Sequence, residues 1–206
     1  MASSTFAVLG VMLMAPVMPA QSDLFDVVRE GSPTEIREVI ADGADVNARS
    51  EKGRTPPMLA VAFNESLGSI RALLEAGADV NARSEAGTTA LMMASAYNSD
   101  QRVVALLLDE GARVNVKNNI GETPLLSASR SNPNPEVVRM LLDAGSDIDV
   151  RGADGSTRCS SQLGVNPNTE VHDVLLECRR GRKRHRRKRW HRADDRGAVQ
   201  QEPRGD

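Results

Sequence analysis

The 206-residue chain predicts an all-α solenoid of about five stacked helix–turn–helix units with short β-hairpin-like fingers between them. Three observations carry that prediction. First, like residues recur every 34 positions: Gly53, Gly87, Gly121 and Gly155; Gly43, Gly77, Gly111 and Gly145; Asn64, Asn98, Asn132 and Asn166; and the apolar pairs Leu73-Leu74, Leu107-Leu108, Leu141-Leu142 and Leu175-Leu176. A period of this size marks repeat architectures, in which each unit buries its apolar face only against its neighbours. Second, the recurring residues are types that start and stop helices. Third, aromatic residues make up only 2% of the chain. The core is then built from Leu, Val, Ala, Met and Ile, which argues against sandwiches and small barrels.

Residues 1–22 carry no charged side chain, and the sixteen residues from Thr5 to Ala20 are apolar, with Pro16 and Pro19 near their end. A membrane-spanning helix needs about 20 residues, so this stretch is too short. Its length suits the apolar region of a secretory signal, and a cut after Ser22 puts Ala20 and Ser22 at the small-residue positions, although the usual basic leader is missing. The expectation is a signal peptide on a periplasmic or secreted protein. The alternatives are a disordered or wrongly assigned start, or a loose apolar leader packed on the first helix, with the protein then cytoplasmic.

Residues 23–178 hold the repeats, in units of about 23–49, 50–83, 84–117, 118–151 and 152–178. The first unit has Gly31 followed by Ser32-Pro33-Thr34-Glu35, a capping box for its second helix, and Val39-Ile40 in the apolar slot. In the later units Thr55, Thr89, Thr123 and Thr157 are N-cap residues for a first helix. Pro56 and Pro124 follow at the first helical position, where a missing N–H costs nothing. The Asn column is expected to end that helix in the left-handed conformation. Two residues on, Ser66, Asp100, Asn134 and Asn168 cap a second helix, which stops at the Gly column Gly43, Gly77, Gly111 and Gly145. Val46, Val80, Val114 and Ile148 then sit in a short extended excursion. Leu74, Leu108 and Leu142 are expected in the core.

These residues resemble the ankyrin repeat. The helix-start signature reads Thr55-Pro56-Pro57-Met58, Thr89-Ala90-Leu91-Met92, Thr123-Pro124-Leu125-Leu126 and Thr157-Arg158-Cys159-Ser160. The finger reads Gly43-Ala44-Asp45-Val46-Asn47-Ala48 and Gly77-Ala78-Asp79-Val80-Asn81-Ala82. The resemblance covers about Asp23 to Cys178. The signature histidine is replaced by Met58, Met92, Leu126 and Ser160, so apolar packing substitutes for its hydrogen bond. The fifth unit departs most: Arg158 stands for Pro, Gly164 interrupts the first helix, His172 enters an apolar column, and Arg179 replaces the helix-ending Gly. A 34-residue variant with Asn in this loop looks like bacterial ankyrin proteins, which are often exported.

No nucleophile, base and orienting group form a recognisable set, and His172, His185 and His191 all lie near the C-terminus. Asp45, Asp79 and Asp147 recur with the repeat and are explained by it. The glycines are isolated turn positions, not a phosphate loop. Cys159 and Cys178 are too few for a disulfide scaffold or a four-cysteine zinc site. The expectation is a protein without enzymatic activity, cofactor or metal, and a monomer. An oxidised Cys159–Cys178 bridge is conceivable after export, with two free thiols as the favoured state.

The resemblance implies instead a protein-binding concave face made of finger tips and first-helix residues. Matched position by position, its candidates are Arg49, Glu51, Lys52, Arg54 and Phe63; then Arg83, Glu85, Thr88 and Tyr97; then Lys117, Asn119, Ile120, Glu122 and Arg130. Phe63 and Tyr97 occupy equivalent slots, where an aromatic could anchor a partner or, for Phe63, pack on the next unit. Arg49, Arg83, Lys117 and Arg151 form a cationic ladder, one per unit, which could read an acidic partner or be ordinary repeat consensus on a solvated finger.

Residues 179–206 form a basic tail expected to be disordered, with 12 basic and 4 acidic side chains against 14 and 24 in residues 1–178. Arg182, Lys183, Arg184, Arg186, Arg187, Lys188, Arg189 and Trp190 could bind nucleic acid or another polyanion, with Trp190 stacking on a base. An anionic membrane surface, a nuclear-import-type signal and no selected role are further readings. Two functions follow as expectations: a non-catalytic scaffold binding a partner protein on the concave face, or polyanion binding through the tail. Steep loss of binding with salt would mark the second.

Overall fold

The computed structural model describes residues 21–64, 66–98, 100–149, 166 and 168–177. The leader, the start of the fifth unit with Arg151 and Cys159, Cys178 and the basic tail lie outside the described residues. Eight helices run in order: α1 (Gln21–Glu30), α2 (Pro33–Ala41), α3 (Pro56–Phe63), α4 (Leu67–Glu75), α5 (Ala90–Tyr97), α6 (Gln101–Asp109), α7 (Pro124–Ser131) and α8 (Pro135–Asp143). A further helical run, α9, covers 169–177, the second-helix position of the fifth unit.

The helices form two rows. First helices pack in series, α1 on α3, α3 on α5 and α5 on α7, while second helices pack α2 on α4, α4 on α6 and α6 on α8. Within each unit the two helices also touch. The main contacts therefore join neighbours, as a one-dimensional stack requires. The rows differ in sequence character for this reason. Every residue of α5 except Tyr97 is buried, because that helix has packed elements on several sides. Helix α8 buries only Val137, Val138, Leu141 and Leu142 and carries charge on its other face.

Local chemistry sets the boundaries. Ser32 and Glu35 form the capping box at α2, with the Ser32 N–H donating to the Glu35 carboxylate at 2.7 Å. Thr89 and Thr123 Oγ1 each accept the N–H three residues on, both at 3.3 Å. Helix α4 ends in a Schellman turn: Gly77 N–H donates to Leu74 C=O and Ala78 N–H to Leu73 C=O, and the φ of +89° at Gly77 makes glycine the fitting residue there. Asp100 and Asn134 cap α6 and α8 through their side chains. Ser66 opens α4 without a side-chain cap, unlike its counterparts.

Thr55 also makes no cap hydrogen bond, and its hydroxyl is buried without a partner. Thr123→Val is therefore expected to cost about 1 kcal/mol, whereas Thr55→Val is neutral or stabilising. Urea denaturation of the two variants checks this contrast.

Two expectations are corrected. The Asn column does not turn left-handed: Asn64, Asn98 and Asn132 have φ of −112°, −86° and −85°, and among the described residues only glycines have positive φ. Their side chains are buried, and those of Asn64 and Asn132 bridge to the preceding unit instead. Asn64 Nδ2 donates to Gly31 C=O at 2.8 Å, and Asn132 Nδ2 donates to Ser95 and Asn98 C=O at 3.0 and 2.9 Å. Asn166 repeats the pattern on Ser129 and Asn132. Leu74 and Leu142 are buried, but Leu108 is only partly so; Leu73, Leu107 and Leu141 fill the core more completely.

Candidate functional site

Each finger ends in a tight turn. Ser50 N–H donates to Arg54 C=O at 3.0 Å, Ser84 to Thr88 at 3.0 Å and Asn118 to Glu122 at 2.9 Å. No strand is present among the described residues. Successive tips are joined by single backbone bonds, Glu85 N–H to Lys52 C=O at 3.2 Å and Asn119 N–H to Ala86 C=O at 3.0 Å. At the finger base, Asn47, Asn81 and Asn115 each span two units. Asn81 Nδ2 donates to Gly111 C=O at 3.1 Å while its Oδ1 accepts from Arg113 N–H at 2.8 Å.

Two hollows lie beside these turns, sharing Lys52 and Arg54. One, of about 350 Å³, is lined by Lys52, Arg54, Ser84, Glu85, Ala86, Thr88, Met93 and Tyr97. The other, of about 480 Å³, is lined by Phe25, Asp26, Arg29, Ser50, Glu51, Lys52, Arg54 and Leu59. Six of the predicted surface residues (Glu51, Lys52, Arg54, Glu85, Thr88 and Tyr97) are thus gathered in one groove.

The other candidates separate. Tyr97 is 74% exposed, Ile120 64% and Phe63 54%. One face of the Phe63 ring is covered by the Arg29 guanidinium, 5.2 Å from its centroid. Glu122 is buried and ion-paired with half-buried Arg130, so neither is the free surface group expected of it. The first two ladder cations are tied into the stack. Arg49 Nη1 donates to Arg83 C=O and Arg83 Nη2 to Lys117 C=O, both at 2.8 Å. Asn119 Nδ2 likewise donates to Glu85 C=O at 2.8 Å. Lys117 is exposed. Gly87 sits where Cβ would come within 2.7 Å of Arg83 Nη2 and 2.6 Å of Asn119 Oδ1, which explains the close seating of these groups.

Arg29, Asp26 and Phe25 were not among the sequence candidates. The signal for Arg29 was available: it lies 34 residues before Phe63, the same column one unit earlier. The first unit has no turn Gly or Thr column, which hid the alignment.

Among the described residues three titrating groups are clearly shifted, all in the first turn or cap of a helix. The Glu35 carboxyl is held below the usual range by the Ser32 backbone N–H and then its hydroxyl. Hydrogen bonds from the Arg102 side chain and backbone lower Asp100, and Asp100 in turn raises Arg102. Among the described residues no group of three His, Cys, Asp or Glu side chains is placed to hold a metal ion. No described helix is long and apolar enough to cross a membrane.

A comparison with curated proteins gives no match. A family model described as ankyrin repeats (3 copies) matches residues 24–118 and 66–152, more than half of the chain. The family match, the two-row stack and the finger turns agree: the chain belongs to the ankyrin-repeat family.

Proposed function

We propose that the chain is a non-catalytic scaffold that binds another protein on the concave face formed by its fingers and first helices. Ankyrin repeats generally mediate protein–protein interaction. The observation that carries the proposal is the distribution of exposed apolar side chains. Of the four large ones among the described residues, Phe63, Tyr97 and Ile120 belong to first-helix ends or finger tips, and only Leu176 lies elsewhere. Outward positions of the second helices are charged instead, as at Arg71, Glu75, Arg102, Asp109, Arg139 and Asp143. Large aromatic side chains left wet in a groove are the usual anchors of an interface.

Site-specific photocrosslinking tests the face. The full chain carrying a photoreactive residue in place of Tyr97 is expected to capture a polypeptide in its native cell extract. The same residue in place of Arg139, on the outside of α8, is expected to capture none. Equal yields from both positions would remove the concave face from the proposal.

A further inference from the structure

Most of the residues that hold the stack together recur from unit to unit; those lining the groove do not. Where the second unit has Lys52, the third has Ala86 and the fourth Ile120. Where the second has Arg54, the third has Thr88 and the fourth Glu122, the last neutralised by Arg130. The folding columns do not account for this change. It gives the finger tips a direction: cations at the second unit, the small uncharged Ala86 and Thr88 at the third and exposed Ile120 at the fourth, with the exposed aromatics Phe63 and Tyr97 beside the first two.

Charge is also distributed unevenly. Residues 21–149 carry twelve basic and twenty acidic side chains. The segments 49–63, 83–97 and 117–131, which hold the finger tips and first helices, carry six basic and three acidic ones. An acidic body therefore presents a basic strip. Among the described residues the ion pairs are Arg102–Asp100, Arg130–Glu122 and Arg139–Glu136, so Lys52 and Arg54 enter none. They line both hollows, the smaller shared with one carboxylate, Glu85, and the larger with Glu51, Asp26 and the further cation Arg29.

The geometry points to an extended polypeptide segment as occupant, bearing one or two carboxylates for Lys52 and Arg54 and apolar side chains for Tyr97 and Ile120. The inference rests on the partner-binding proposal above and narrows the partner's chemistry. Spacing follows from the stack. Packed helices lie about 8–10 Å apart and an extended chain advances ~3.3 Å per residue, so one unit corresponds to about three residues. The acid is then separated from the two apolar side chains by about three and about six residues. Carboxylates in this setting mainly set orientation and on-rate, and the apolar contacts hold the segment.

The test is a selection of random twelve-residue displayed peptides on the full chain, with counter-selection on a synthetic peptide of residues 179–206. Counter-selection subtracts peptides held by the basic tail. The expected survivors carry Asp or Glu at that spacing from Leu, Phe or another apolar residue, and lose at least tenfold in retention on the Lys52→Glu/Arg54→Glu variant of the full chain. Arg54 is half-buried, so the exposed pair Lys52→Glu/Tyr97→Ser replaces the variant should circular dichroism show it unfolded. Survivors that are neutral or basic yet lost with Tyr97→Ser overturn the acidic-segment inference and leave the scaffold proposal standing. Survivors indifferent to both variants count against both.

Discussion

Replacing Asn132 by Ala is expected to lower the stability of the full chain by about 3–5 kcal/mol in urea denaturation. Asn132 is fully buried between the third and fourth units. Its Nδ2 serves Ser95 and Asn98 C=O at 3.0 and 2.9 Å, and its Oδ1 accepts Asn134 N–H at 2.8 Å. Truncation leaves two carbonyls and an N–H to find other partners in a place water reaches poorly. Each such group costs about 1–3 kcal/mol when left unpaired, more than the net worth of a hydrogen bond lost at the surface. Asn115 provides the contrast. It bridges two units in the same style, to Gly145 C=O and from Asp147 N–H, but on an exposed finger where water can replace it. Asn115→Ala is expected to cost about 1 kcal/mol. Equal costs at the two sites would show that burial of the bridge does not set its contribution.

The Asn column shows how far the amino-acid pattern alone reaches. Its period placed the second to fifth units, and its helix-ending position was legible, because Asn at a helix end is a local matter. Its role was not, because the partners of Asn132 lie 34 and 37 residues away and are backbone carbonyls, which leave no mark in side-chain identity. The ladder of Arg49 and Arg83 was likewise visible as a column, while its attachment to the next unit's carbonyls was not. At the groove, position-by-position matching found Lys52, Arg54 and Tyr97, since fingers project wherever the repeat says they do. It offered Glu122 and Arg130 as two surface groups because spacing cannot reveal that they neutralise each other. Where a residue stands follows from the repeat, and there sequence sufficed; which partner its side chain takes was decided by tertiary packing.

Leu107→Ala is expected to cost about 2–5 kcal/mol, and Leu108→Ala about 1 kcal/mol. Both belong to the apolar pair of the third unit, but a helix turns about 100° per residue, so neighbours cannot share one direction. Helix α6 buries Val103, Val104, Leu106 and Leu107. Leu107 is at the middle of that stripe and fully buried; Leu108 lies at its edge and is partly exposed. Removing Leu107 opens a void among helices packed on both sides, since α6 touches α4 and α8. In a stack joined only through neighbours, weakening the third unit also loosens the coupling between the units before and after it. The expected signature is thus a lower denaturation midpoint together with a broader transition, as the two ends begin to unfold separately. Leu108→Ala is expected to shift the midpoint slightly and leave the transition sharp. A reversed order would place the stripe one residue further along α6 and undo the assignment of its buried face.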